Sequence, residues 1–263
     1  MSSWEALLLG VVQGLTEFLP ISSSGHLAIL EILLGWRERS LIAFNVALHF
    51  GTLISVLVYF RNDIRILITN CTLSTSDTVI LILMANVPTA SIALALQSWT
   101  SAASHSLSTI ALFLSVTASV LLLAEYISCR DEDKLGSSDS GLTWRHALLI
   151  GAVQGVAVLP GLSRAGVTIA CGLLLGLRKE TSARFAFLVS IPAMFGAAAL
   201  KTKELFSQFE AEIILVAAAA FVAFLIGLVA IDLCLKAVRG ARLWWFAAYC
   251  LLVACVIGLK SIN

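Results

Sequence analysis

Charged residues are scarce in this chain. Only 13% of its 263 residues are Asp, Glu, Lys or Arg, whereas 59% are hydrophobic. A soluble domain carries about 25% charged residues, so this shortfall excludes a water-solvated surface for much of the chain and requires the lipid bilayer as solvent. The formal net charge of +1 also provides no basic surface of the kind that nucleic acids bind, and we expect no nucleic-acid partner.

Cysteine pairs of the CxxC type are absent, although the chain contains six cysteines. This absence argues against a zinc site or a redox motif. Most of the cysteines lie in apolar runs, where cysteine packs as a small hydrophobe, and we expect free thiols. The N-terminus lacks the basic residues that begin a signal peptide, so we expect the first apolar run to be retained.

Long apolar runs are what the chain has instead. A bilayer core of about 30 Å is crossed by about 20 helical residues. Runs near that length are Leu41–Phe60, Val79–Leu96, Leu107–Ile127, Phe185–Leu200, Ile213–Leu235 and Leu243–Leu259. Pro88 and Pro192 interrupt two of them, which predicts a kink and not a break. These runs predict an all-α, multi-pass integral protein of the cell membrane.

Two further apolar segments are each interrupted by a polar stretch. Ala6–Leu19 is followed by Pro20-Ile21-Ser22-Ser23-Ser24-Gly25-His26, and Ala147–Leu159 is followed by Pro160-Gly161-Leu162-Ser163-Arg164-Ala165-Gly166. Non-helical backbone at membrane depth is tolerated only where protein buries it or where it lines a wet cavity. We therefore predict two broken, re-entrant helix pairs.

The two interrupted segments are copies of each other. At one constant spacing, the first set of matching residues is Gly10, Gln13, Gly14, Gly25, Gly35, Arg37 and Phe44, and the second is Gly151, Gln154, Gly155, Gly166, Gly176, Arg178 and Phe185. We interpret the chain as two repeats, expected to be inverted: a first half at 1–129, a polar connecting loop at 130–145 and a second half at 146–263. In membrane proteins built from repeats, matching interrupted helices mark the binding site.

The first break carries groups suited to phosphate chemistry. Gln13 and Glu17 are four residues apart and share one helix face. A carboxylate in a membrane segment is costly and indicates a functional site. Three serines, Ser22, Ser23 and Ser24, then begin a second half-helix, where hydroxyls and free N–H groups can hold an anion. His26 adds a titratable base.

The second break supplies the positive charge that the first lacks. Gly161 allows close approach of the backbone to a ligand. Ser163 can cap a helix, and the Arg164 guanidinium suits bidentate binding of phosphate. Thr168 lies one turn further along the same face. If the repeats pack together, these groups converge with Glu17 and His26 into one phosphate and metal site.

The two polar stretches together resemble the undecaprenyl-diphosphate phosphatase family of the bacitracin-resistance type. The resemblance rests on Gln13 to His26 and on Pro160 to Thr168, in that order. It implies an integral membrane hydrolase that removes the terminal phosphate from a polyprenyl diphosphate and regenerates the monophosphate carrier lipid for cell-wall peptidoglycan synthesis. It also implies inverted repeats with re-entrant helices and a divalent cation, and it allows a homodimer.

The resemblance also implies roles for single residues. The (Glu/Gln)-x-x-x-Glu motif falls on Gln13 and Glu17, the expected ligands of Mg²⁺ or Ca²⁺, and Gln at position 13 removes a charge that many members have. The expected catalytic residues are Glu17, Ser23, His26 and Arg164, and the expected substrate contacts are Ser22, Ser24, Gly161, Ser163 and Thr168. Whether His26, Ser23 or water attacks phosphorus stays open at this point.

Two other functions are compatible with parts of the pattern. Repeats with broken helices are also typical of secondary transporters or lipid flippases, which would bind an anionic substrate without hydrolysis. Ser24-Gly25-His26 is similar to a motif of type-2 phosphatidic-acid phosphatases, but the downstream Ser-Arg lacks that family's following histidine. We interpret His49 as a hydrogen-bonded core histidine and Gln154 as a link between helices.

Overall fold

The computed structural model of the protein describes residues 2–35, 38–69, 73–130, 141–200 and 213–262. Within these ranges the regular structure is entirely helical, as predicted, and contains no strand. Arg37, Cys71 and most of the predicted connecting loop, at 131–140, lie outside the described residues. The other five cysteines are free thiols, as expected.

The helices are numbered here in chain order. They are α1 (Ser3–Phe18), α2 (Ser23–Leu34), α3 (Glu38–Tyr59), α4 (Arg61–Thr69), α5 (Leu73–Ala95), α6 (Gln97–Ser104), α7 (Leu107–Arg130), α8 (Trp144–Val156), α9 (Arg164–Leu174), α10 (Lys179–Leu200), α11 (Ile213–Arg239) and α12 (Leu243–Ile262).

Five helices of the described chain are long and apolar enough to cross a membrane: α5, α7, α10, α11 and α12. Pro88 and Pro192 lie inside α5 and α10, which continue past them as predicted. A sixth span is formed if Phe44–Tyr59 and α4 count together, although the two bend by 66° at Phe60. The bend comes where charged residues begin, so α4 has a polar face that suits the membrane surface. The chain is therefore an integral, multi-pass membrane protein.

The four helices around the predicted breaks are too short to span a bilayer alone. Helices α1 and α2 contain 16 and 12 residues, and α8 and α9 contain 13 and 11. At 1.5 Å per residue, each is at most about 24 Å long. Non-helical backbone separates α1 from α2 at 19–22 and α8 from α9 at 157–163. Both interruptions lie where Pro20 and Pro160 predicted them.

The first short helix of each half packs against a long helix of the other half. The principal partner of α1 is α11, and that of α8 is α5. Glycines make the contacts close: a Cβ on Gly10 would lie 2.5 Å from the Ala219 carbonyl oxygen, and one on Gly151 would lie 1.9 Å from that of Ala85. Small residues allow this backbone approach in membrane helices. The two breaks are therefore held in place by helices from opposite halves of the chain.

Candidate active site

The first break is organised by Ser22, which caps α2. Its backbone has φ 70° and ψ 97°, a conformation that costs a non-glycine residue about 1–3 kcal/mol. The Ser22 hydroxyl accepts hydrogen bonds from the N–H of Gly25, at 3.2 Å, and from the N–H of Gly161, at 3.1 Å. One side chain thus closes the first turn of α2 and ties it to the second break.

The second break is organised by Gly161, Ser163 and Thr117. Gly161 has φ 99°, and a Cβ there would lie 2.6 Å from the Ile110 carbonyl oxygen of α7. Thr117 of α7 donates to the Gly161 carbonyl at 3.0 Å and accepts from the Ser163 N–H at 3.1 Å. Ser163 caps α9 by accepting from the Gly166 N–H at 3.1 Å. Helix α7 therefore satisfies the polar backbone of this break.

The two breaks lie directly against each other. Besides the hydrogen bond from Gly161 to Ser22, a Cβ on Gly25 would lie 3.1 Å from Gly161, and one on Gly166 would lie 3.1 Å from the Pro20 side chain. The predicted packing of the two polar segments is confirmed. Helices α2 and α9 both begin here, so two helix N-termini, each with a partial positive charge, share one region.

Glu17 lies at the centre of this region, and its side chain is only 5% exposed. Its Oε2 atom accepts hydrogen bonds from the Ser23 hydroxyl at 2.5 Å and from the Gln13 amide at 3.0 Å. A hydroxyl that donates to an ionised carboxylate makes a charge-assisted hydrogen bond. A serine hydroxyl that donates to a buried carboxylate is positioned to lose its proton.

Arg164 brings the opposite charge from the second half of the chain. Its Nη1 atom lies 3.8 Å from Glu17 Oε1, and its side chain is 24% exposed. Nη1 is buried and makes no hydrogen bond among the described residues. A guanidinium held in place with a free donor is suited to take phosphate oxygens.

Comparison with known proteins identifies the family. The family model for the bacitracin resistance protein BacA matches residues 6–256. The chain belongs to the BacA family. Similar proteins named undecaprenyl-diphosphatase include one from Syntrophotalea carbinolica, 42% identical over 259 residues that cover 96% of this chain and 97% of the relative. Another, from Desulfosudis oleivorans, is 38% identical over 283 residues that cover 99% and 100%.

In this BacA-family chain, both ring nitrogens of His26 have hydrogen-bond partners within the protein. Its Nδ1 lies 2.7 Å from the Ser22 carbonyl oxygen, which can only accept, so Nδ1 carries the proton. Its Nε2 lies 2.8 Å from the Tyr249 hydroxyl of α12, and the planes of the two rings are nearly parallel, at 9°. Sequence reasoning missed Tyr249, because one tyrosine in an apolar helix carries no motif.

His49 was interpreted from the sequence as a core histidine, and the structure places it beside the site. Its Nδ1 lies 2.8 Å from the Asn45 carbonyl oxygen, and its Nε2 lies 3.8 Å from Glu17 Oε2. The side chain is 33% exposed. A repeat comparison could not reveal it, since the matching position in the second half is Ser190.

The other predicted substrate contacts are engaged with the protein. Ser24 lies with its hydroxyl 3.4 Å from that of Ser22. Thr168 is buried, and its hydroxyl donates to the Arg164 carbonyl at 2.7 Å, which steadies the first turn of α9. Gln154 donates to Thr89 at 3.2 Å, in accordance with its interpretation as a link between helices. Contacts of the five predicted residues with substrate stay predictions: Ser22, Ser24, Gly161, Ser163 and Thr168.

The residues expected to hold a cation, Gln13 and Glu17, suit a cation that is bound together with the substrate phosphates. Among the described residues no group of three His, Cys, Asp or Glu side chains forms a ready-made metal site. However, the Gln13 Oε1 atom is buried next to the Glu17 carboxylate and has no hydrogen-bond partner within the ranges that the structure describes. Mg²⁺ sites typically use one or two carboxylates together with substrate phosphates. An amide oxygen and a carboxylate match that donor set.

Proposed function

We propose that this chain is an undecaprenyl-diphosphate phosphatase, an integral membrane hydrolase that removes the terminal phosphate and regenerates the monophosphate carrier lipid. The observation that carries the proposal is the meeting of the two breaks, which places Glu17 and Arg164 3.8 Å apart although they come from opposite halves. Relatives named undecaprenyl-diphosphatase align along nearly the whole chain and support the same activity.

Binding of the diphosphate uses the positive groups of both breaks. Arg164 has a buried donor with no hydrogen-bond partner among the described residues, and helices α2 and α9 begin beside it. Together they neutralise the phosphate oxygens and the charge that develops as the bond to phosphorus breaks. The polyprenyl chain would remain in the bilayer against apolar helix faces, so hydrolysis need not extract the lipid.

Ser23 is the nucleophile that the geometry favours. Its proton passes to Glu17 as Ser23 Oγ bonds to the terminal phosphorus, and the bond from that phosphorus to the bridging oxygen breaks. The lipid monophosphate leaves with the bonding electrons. Water then attacks the phosphoserine, and inorganic phosphate is released. His26 is less suited to attack because Ser22 and Tyr249 occupy both of its ring nitrogens.

A divalent cation, Mg²⁺ or Ca²⁺, is part of the proposal. Gln13 Oε1 and the Glu17 carboxylate would hold it together with the diphosphate oxygens. The cation supplies charge neutralisation of the phosphates when bound. Because Arg164 already balances the single charge of Glu17, we expect tight binding of the cation only when the diphosphate is present.

The finer architecture is proposed as two inverted repeats with re-entrant pairs α1–α2 and α8–α9. The reciprocal contacts support it, since α1 packs on α11 of the second half and α8 packs on α5 of the first. Each pair is too short for two full crossings and would leave the membrane on the side it entered. A homodimer is a further proposal, which the mass of the purified protein in detergent tests.

The function is tested by phosphate release from undecaprenyl diphosphate, with and without a chelator. We expect release by the intact protein, loss with chelator, and a fall of at least about a hundredfold in Glu17→Gln and in Arg164→Gln. Glu125→Gln is the matched control, because that carboxylate contacts the Trp244 backbone outside the site. A Glu17 or Arg164 variant with half of the normal rate would remove that residue from the mechanism. Transport of the lipid without phosphate release would favour a transporter.

A further inference from the structure

The Nε2 atom of His49 faces the candidate site, and in the neutral ring it carries the lone pair. A backbone carbonyl can only accept a hydrogen bond, so the 2.8 Å contact with the Asn45 carbonyl places the proton of the neutral ring on Nδ1. Nε2 is then the unprotonated nitrogen, and it is the atom nearest to Glu17. This arrangement is the one that metal-binding histidines usually have, with the second ring nitrogen donating to a carbonyl or carboxylate.

The gap between His49 and Glu17 has the size of a shared cation. Nε2 and Oε2 are 3.8 Å apart, too far for a hydrogen bond. Ligand atoms that each lie about 2.0–2.3 Å from one ion can be up to about 4.5 Å from each other. A cation between Nε2 and Oε2 would interact favourably with both atoms.

A third donor lies beside the same carboxylate. Gln13 donates its amide N–H to Glu17 Oε2, and its own Oε1 is buried with no hydrogen-bond partner in the described part of the chain. A buried oxygen left without a partner is unfavourable, and a cation would satisfy it. Gln13 of α1 and His49 of α3 therefore both lie beside the Glu17 carboxylate.

We infer that His49 Nε2 is a third protein ligand of the divalent cation, with the Glu17 carboxylate and Gln13 Oε1. The inference rests on the proposed function only in that the same cation serves the diphosphate. A histidine ligand would change the expected preference from Mg²⁺ or Ca²⁺ to a transition-metal ion. An imidazole nitrogen favours first-row transition ions, so Mn²⁺ or Co²⁺ should bind more tightly than Ca²⁺.

The fold holds His49 in this place through close contacts of α3 with α11. A Cβ on Gly51 would lie 2.2 Å from the Ala220 carbonyl oxygen, and Ser55 donates to the Phe224 carbonyl at 2.9 Å. The same helix α11 packs on α1, which carries Gln13 and Glu17. One long helix thus sets the distance between the histidine and the carboxylate.

The test uses Mn²⁺ as a spectroscopic probe in the purified full chain, alone and with methylenediphosphonate, a diphosphate that is not hydrolysed. Electron spin-echo measurements detect the ¹⁴N coupling of an imidazole bound to Mn²⁺. With methylenediphosphonate present, we expect this coupling in the wild type and in His26→Gln, and its loss in His49→Gln with a fall of at least about tenfold in Mn²⁺ affinity. Circular dichroism checks that the variants fold.

A complementary variant keeps the test decisive if His49→Gln does not fold. The chain has four histidines, and replacing His26, His105 and His146 by Gln leaves His49 alone. This protein should retain the ¹⁴N coupling. The inference would be overturned if the wild type lacked the coupling or if His49→Gln kept it. It would also be overturned if Mn²⁺ did not bind either with or without methylenediphosphonate. Each of these results would indicate a simple ion pair of His49 with Glu17. Phosphate release measured in parallel reports on the proposed function separately.

Discussion

A buried carboxylate is stable here because its neighbours compensate for lost water. An acidic side chain at membrane depth costs about 3 kcal/mol on insertion scales. Glu17 receives hydrogen bonds from Ser23 and Gln13 and lies 3.8 Å from Arg164. Hydrogen bonds to a charged group contribute about 1.5–3 kcal/mol each, so two of them are of the size needed. The site can therefore remain charged without a bound ligand.

Tyr249 provides a prediction at this scale. Tyr249→Phe keeps the ring beside His26 but removes the hydrogen bond to its Nε2. We expect phosphate release to fall roughly fivefold, the equivalent of one hydrogen bond of about 1 kcal/mol. If Tyr249 acts only through His26, its substitution should have no further effect in a His26→Asn background. Additive losses in the double variant would mean that Tyr249 works independently of His26.

Some of these residues could be predicted from the sequence and others could not. Glu17, Ser23 and Arg164 stand out because charge or hydroxyl clusters interrupt apolar runs at repeated positions. Tyr249 and Thr117 are single polar residues within long apolar helices, where a polar group is as often a link between helices as part of a site. Their roles depend on which helices pack together, and local pattern does not contain that information.

At the scale of helices, glycine contacts set how closely α8 and α5 approach. Gly151→Ala would place a methyl group 1.9 Å from the Ala85 carbonyl oxygen. We expect the helices to separate and stability to fall by about 1–3 kcal/mol, measured as a lower thermal midpoint in detergent. Gly196→Ala is the matched control, since no atom of the described residues lies within 4 Å of its Cβ position in α10. Equal midpoints for the two variants would contradict the close packing of α8.

Helix breaks were more predictable than helix bends. Proline, glycine and serine stop regular structure locally, and the breaks fall beside Pro20 and Pro160 as expected. The 66° bend between α3 and α4 has no such residue at Phe60. It follows from the membrane boundary, because Arg61 and Asp63 favour water while α3 favours lipid. Asp63 also pairs with Arg184 of α10 at 2.6 Å, which fixes the direction of α4.

At the scale of the whole molecule, α1 packs on a helix of the second half and α8 packs on a helix of the first. Each half therefore needs the other to complete the site. Fragments 1–135 and 136–263 should show no phosphate release separately and should regain it when they are produced together. The reason is that α1 lacks α11 in the first fragment, and Arg164 lacks Glu17 in the second. The measurement is phosphate release from membranes that contain one or both fragments. Activity from either fragment alone would show that the site is complete within one half.

The contact between Gly10 and Ala219 also has a consequence for biosynthesis. At about 5–20 residues per second, the ribosome needs roughly 10–40 s to reach the partner of α1, about two hundred residues further along. During that interval the nascent chain holds Glu17 on a helix too short to cross the bilayer and without its neighbour. Helix α1 is thus made first but is among the last to gain its packing partner. Until α11 is made, the insertion machinery must keep Glu17 away from lipid.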